Sequence, residues 1–210
     1  KIAALLIGTE GVGAMNQFSF TTSKISDFSL LSMNHGVVKQ IAERKSKDDY
    51  KEQIANALKS YTLIISIVTI IVVCSLLLFI DNLTIWFFGD IKYKNIFIIS
   101  IICIPLMIYN SWANSLLRAY KEIKYLARSE IYASIGALCV FVPAIYFFKL
   151  KGAIAGMAFV FIFILILNQF FAHKKILNKI KLSIKDIFKA KFIKLDIKEL
   201  FLFAGIGITI

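Results

Sequence analysis

Apolar residues fill this chain in long runs, and short charged stretches separate them. Residues 61–80 form twenty consecutive positions without a single charge. As a helix rising about 1.5 Å per residue, that run covers the roughly 30 Å hydrocarbon layer of a membrane. Similar runs follow at 96–117, 131–148 and 152–172, the last two joined by a tight turn at 149–151. Residues 14–41 form a longer, more polar stretch. The runs at 2–7 and 200–210 are too short to span and read as the end of one helix and the start of another. The pattern therefore predicts a helix end, five further spanning helices and the first turns of a seventh.

Composition agrees with the pattern. The chain is 59% hydrophobic with a mean hydropathy of +0.76, and its charge is 18% against about a quarter for a soluble domain. This excludes an ordinary soluble domain and predicts an all-α integral membrane protein. Cys74, Cys103 and Cys139 lie inside apolar runs without metal-ligand spacing, and His35 and His173 are far apart. No metal or cofactor is expected.

The net charge of +12 is distributed by side. Five basic residues lie between the second and third helices, four between the fourth and fifth, and nine after the sixth. Together these are 18 of the 25 lysines and arginines. The alternate connections hold Lys92, Lys94, Lys149 and Lys151. The positive-inside rule puts the basic side in the cytoplasm and the Gly8–Gly13 turn outside. The charge then serves topology and lipid contact, and no nucleic-acid partner is implied. Residues 173–199 are too polar to span. Ile176, Ile180, Ile184, Phe188 and Phe192 recur every four positions among lysines, which predicts a helix on the cytoplasmic membrane surface.

Candidate chemistry concentrates in residues 14–41. At 100° per residue, Gln17, Thr21, Lys24 and His35 fall on one face. Asn16, Ser23, Asp27 and Asn34 flank them, and Phe18, Ile25, Ser29 and Met33 lie opposite. A charge near the bilayer centre costs several kcal/mol against lipid, so this face must meet protein or a watery cavity. Lys24 lies about 15 Å along the helix from Ala14, near the midplane, with Asp27 one turn away as an ion-pair partner. Two readings stand: a cationic contact for an anionic substrate, or a buried structural pair. A second stripe, Asn110, Asn114 and Arg118, recurs every four residues with Ser111 and Ser115 beside it. It either lines the same cavity or bonds neighbouring helices, and Arg118 also suits an interface anchor.

Pro105 and Pro143 interrupt two spans and are hinge candidates, since each removes a backbone hydrogen bond. The small residues Gly152 and Gly156 allow close helix contact. Gly8, Gly11 and Gly13 have neither the spacing nor the following Lys-Ser/Thr of a phosphate loop. No catalytic constellation is apparent, and the carboxylates Glu10, Asp27, Asp81 and Asp90 are scattered.

The helix end followed by Gly8-Thr9-Glu10-Gly11-Val12-Gly13, then the polar helix ending Asn34-His-Gly-Val-Val-Lys-Gln-Ile-Ala-Glu43, resembles the O-antigen and related polysaccharide flippases. These belong to the multidrug/oligosaccharidyl-lipid/polysaccharide exporter superfamily. Thr9 stands where that family usually has proline. The stretch from Lys149 to Gly156 is similar to the family's turn into its sixth helix. The resemblance implies a MATE-like fold of two six-helix lobes around a central cavity. Residues 1–172 would be the N-terminal lobe, 173–199 the basic cytoplasmic connector and 200–210 the start of the second lobe. It also implies a non-enzymatic, multi-pass protein of the bacterial inner membrane. Its substrate would be undecaprenyl-diphosphate-linked oligosaccharide, moved by alternating access for surface polysaccharide synthesis. Membrane lipids and polysaccharide-assembly proteins would be its neighbours. Two other classes compete. A drug or small-molecule exporter of the same superfamily would have an acidic cavity, for which Asp27 is the candidate. A membrane glycosyltransferase or assembly scaffold would carry an external acidic loop, for which Asp81 and Asp90 are the candidates.

Overall fold

The computed structural model describes residues 2–30, 33–45, 50–182 and 186–187. The final run at 200–210 lies outside them. Helix α1 (Ile2–Leu30) is broken at Gly8, where φ 73° and ψ 174° occupy a region open essentially to glycine alone. The turn expected over residues 8–13 is confined to that one residue, and Gly11 and Gly13 are helical. Helix α2 (Met33–Arg44) follows, and residues 31 and 32 between the two lie outside the described residues.

Much of the apparent polarity of α1 is satisfied within the helix. The hydroxyls of Thr22, Ser26 and Ser29 donate to carbonyls four residues back, at 2.8, 2.7 and 2.6 Å. Such bonds let Ser and Thr enter an apolar environment without an external partner. Helix α2 buries Met33, Gly36, Val37, Gln40 and Ile41, the i, i+3, i+4, i+7, i+8 stripe of an amphipathic helix.

Helix α3 (Tyr50–Leu78) starts eleven residues before the uncharged run, because its first turns pack Ile54 and Leu58 into the core. The short helix α4 (Ile80–Phe88) ends at Gly89 in the left-handed conformation. A single 3₁₀ turn, Ile91–Tyr93, is capped by the Asp90 carboxylate, which accepts from the Lys92 backbone N–H at 3.0 Å. Helix α5 (Lys94–Ala119) runs straight through Pro105. It packs against α1, α2, α3 and α6, and half of its most apolar window is buried, against 22% for α3 and α6. It is therefore the central helix.

Helix α6 (Ile123–Ala172) folds back on itself at Lys149, where φ is 49° and ψ −128°. A Cβ placed on Gly152 would lie 1.8 Å from the Ala144 carbonyl oxygen. One on Gly156 would meet Phe141, and one on Gly136 would meet Phe163. Each pair is antiparallel about residue 149, so the two legs form a close hairpin. Residues 123–148 and 150–172 give legs of about 39 and 35 Å, each enough to cross a bilayer. The helix continues through Pro143 and breaks six residues later, at Lys149.

Among the described residues, three helices are long and apolar enough to cross a membrane: α3, the helical stretch Ile91–Ala119 containing α5, and Ile123–Leu177 containing α6. Their outer faces expose Ile67, Ile70 and Ile71 on α3 and Ile131, Ile135 and Leu138 on α6. Rows of bare aliphatic side chains belong against lipid tails rather than water. After α6 comes one π-helical turn, His173–Leu177. Ile176 and Ile180, expected to face the membrane surface, are instead buried in the protein core, as are Leu177 and Leu182. Ile184, Phe188 and Phe192 lie outside the described residues.

Candidate functional site

Where α1 gives way to α2, a cavity of about 180 Å³ opens toward the C-terminal half of α5. Asp27, Asn34 and His35 line one side and Asn110, Asn114 and Arg118 the other. Ser26, Ser111 and Ser115 fill the wall between them. The Asn110–Asn114–Arg118 stripe of α5 thus faces the polar residues at the end of α1. Asn34 and His35, on the first turn of α2, meet the same space.

Three sequence candidates are placed elsewhere. Thr21 is fully buried in helix packing, and its hydroxyl has no partner among the described residues. Gln17 lines a separate space of about 430 Å³ at the other end of the bundle. Lys24 is exposed, with its ammonium 5.9 Å from the centre of the Phe20 ring. No Lys24–Asp27 ion pair forms among the described residues, so the expected buried pair is absent. One wheel drawn through residues 17–35 put Gln17, Thr21, Lys24 and His35 on one face. It also took polarity to mean one shared face, whereas α1 exposes Asn16, Lys24 and Asp27 and buries Thr21.

The residue that sequence reasoning missed is Asn168, on the second leg of α6. Its side chain is 2% exposed. Its Nδ2 donates to Asn110 Oδ1 and to Asn114 Oδ1, both at 2.9 Å. The Ser129 hydroxyl, on the first leg, lies between Asn168 Oδ1 and the Leu126 carbonyl. One asparagine therefore joins three helical passages through side chains that also line the cavity. Buried polar groups must be matched this way or cost free energy. The available signal was an isolated amide pair, Asn168 and Gln169, in an otherwise apolar run. Gln169 Nε2 in turn donates to the Tyr109 carbonyl at 3.3 Å.

No protein-family model, curated protein or solved structure matches the chain. The chemistry of the cavity and the two ends of the bundle carry the functional reading.

At the Gln17 end, the Glu10 carboxylate accepts from Lys92 Nζ at 2.5 Å and from the Tyr93 hydroxyl at 2.6 Å. The hydrogen bond from Lys92, then that from Tyr93, holds the Glu10 carboxyl below its ordinary range. Asp81 pairs with Lys94 at 2.6 Å and Asp90 with Lys92 at 3.5 Å. Cations gather at the opposite end. Lys124, Arg128 and Lys175 lie over the Tyr125 ring at 5.2, 5.5 and 5.2 Å, and Lys45 lies over Tyr120 at 4.5 Å. Burial pushes the Tyr120 phenol up to about 12. Basic residues from three connecting segments thus share one end of the bundle, the end nearer the cavity.

Proposed function

We propose that the chain flips undecaprenyl-diphosphate-linked oligosaccharide across the bacterial inner membrane for surface polysaccharide synthesis, by alternating access. The carrying observation is the cavity itself. Asp27, His35 and Arg118, all exposed, share it with two amides between apolar helices, and ionisable groups in spanning segments are candidates for substrate paths. Two features support the reading. The exposed stripe of Asn16, Lys24 and Asp27 on α1 is unsuited to lipid and needs water or further protein against it. The all-helical bundle, with three helices long and apolar enough to cross a membrane among the described residues, is compatible with part of a six-helix lobe of the MATE-like kind. The cavity is too small for an oligosaccharide, so it suits the diphosphate while the glycan passes along the exposed stripe.

Cells lacking the chain should accumulate lipid-linked oligosaccharide in the inner leaflet and lose surface polysaccharide, and the wild-type gene should restore both. Unchanged surface polysaccharide without the chain would end this reading. Asp27 in the cavity wall favours one alternative, export of a cationic small molecule. Ethidium efflux that depends on Asp27 would replace the first reading with that one.

A further inference from the structure

We infer that Asn168 is a positioning residue that turns the amide N–H groups of Asn110 and Asn114 into the cavity, forming with Arg118 a binding site for phosphate oxygens. An asparagine amide has one acceptor oxygen and one nitrogen with two donors. Asn168 Nδ2 gives its two hydrogens to Asn110 Oδ1 and Asn114 Oδ1. Both oxygens are thereby held toward α6. The two nitrogens, with four N–H groups between them, must point the other way. Both residues line the cavity, and neither nitrogen meets an acceptor among the described residues. Asn110 is itself 9% exposed, and neither amide nitrogen is among the buried polar atoms left without a partner, so both are open to the cavity.

Arg118 lies one turn beyond Asn114 on the same face of α5 and lines the same space. Its planar fork suits phosphate. The α5 wall therefore offers the amide donors and a charged guanidinium, beside the hydroxyls of Ser111 and Ser115. Asp27 stands on the facing wall with His35. A carboxylate there directs the oxygens of a bound anion toward α5. The volume of about 180 Å³ is roughly that of six liquid waters, which fits a phosphate or diphosphate group and excludes a sugar chain. This deepens the flippase reading and rests on it only for the source of the phosphate, the lipid-linked diphosphate.

The test uses the full chain purified in detergent free of phospholipid and titrated calorimetrically with inorganic pyrophosphate, with tetramethylammonium chloride as the cationic control. Pyrophosphate should bind and tetramethylammonium should not. Asn114→Asp keeps an acceptor for Asn168 and presents a carboxylate oxygen to the cavity. Asn168→Asp accepts from both asparagines and turns their oxygens outward. Each should weaken pyrophosphate by about tenfold or more and admit the cation, a swap of preference that simple destabilisation does not produce. Should Asn168→Asp fail to fold, Asn114→Asp carries the test. A wild type that prefers the cation would mean the amide relay runs the other way and would overturn the proposal. So would pyrophosphate affinity unmoved in a folded Asn114→Asp protein.

In phosphatidylcholine nanodiscs, competition by phosphatidic acid assigns the site to a lipid headgroup. Pyrophosphate binding without competition assigns it to a free anion, and binding of neither overturns it. Pyrophosphate binding with the expected variant pattern, in a chain whose loss leaves surface polysaccharide intact, keeps the site and removes the flippase reading. Lost polysaccharide without oxyanion binding does the reverse.

Discussion

Lys24 was conspicuous in the sequence because a lysine amid an apolar stretch demands an explanation, and the demand was met differently from expectation. Its charge lies over an aromatic face rather than against Asp27. The two residues should then act independently. In thermal melts of the solubilised protein, the double Lys24→Ala, Asp27→Ala change should equal the sum of the single changes to within about 0.5 kcal/mol. Rescue of one change by the other would reinstate the pair. If Lys24 meets the substrate phosphate, Lys24→Arg keeps export and Lys24→Ala loses it at normal membrane abundance. Glu10 offers a titration. Its pKa is lowered in the folded chain, so its tie to Lys92 and Tyr93 contributes above the ordinary carboxyl value of 4.5 and is lost as pH falls through the lowered value. The difference in melting temperature between wild type and Glu10→Gln should be small at pH 7, because the group is exposed, and should vanish in acid. Lys149 is a lysine at positive φ, a conformation costing on the order of 1–3 kcal/mol. Lys149→Gly should raise stability by about 1 kcal/mol after the added freedom of the unfolded chain is counted. A fall would mean the lysine side chain has a role at the turn.

Among the elements, the α6 hairpin was the most legible and α1–α2 the least. Two apolar runs separated by three residues could only fold back on each other, and the small residues at 152 and 156 marked the side of close approach. Gly152→Ala should therefore be severe, since its Cβ has the Ala144 carbonyl at 1.8 Å. It should lower the melting temperature well below that of Gly13→Ala, where a Cβ meets nothing within 4 Å. Equal effects would mean the legs part easily. The arrangement of α1 and α2 had no such mark. The hydroxyls that make α1 look amphipathic bond to its own backbone, so they carry no information about a polar face. Pro105 and Pro143 each remove one helical hydrogen bond, and α5 and the first leg of α6 continue through them.

For the whole molecule, the alternation of basic and non-basic connections was plain from charge alone, and the structure collects the basic ones around Tyr120 and Tyr125. The cavity was half legible. The stripe on α5 and the polar end of α1 were visible, but Asn168 is far away in sequence and only the hairpin brings it to them. In a background without Cys74, Cys103 and Cys139, a cysteine at Asn95 should react with an impermeant reagent from outside intact cells. One at Lys181 should react only after permeabilisation. Labelling of position 181 from outside would invert the map. The turn at Lys149 also bears on how the chain enters a bilayer. Its tip carries two exposed cations, Lys149 and Lys151. In the proposed orientation both must be moved outward against a potential that is negative inside, at about 2.3 kcal/mol per charge at 100 mV. The apolar legs must supply that work during insertion. A tip with further lysines should stall on the inner side, and collapsing the membrane potential should release it.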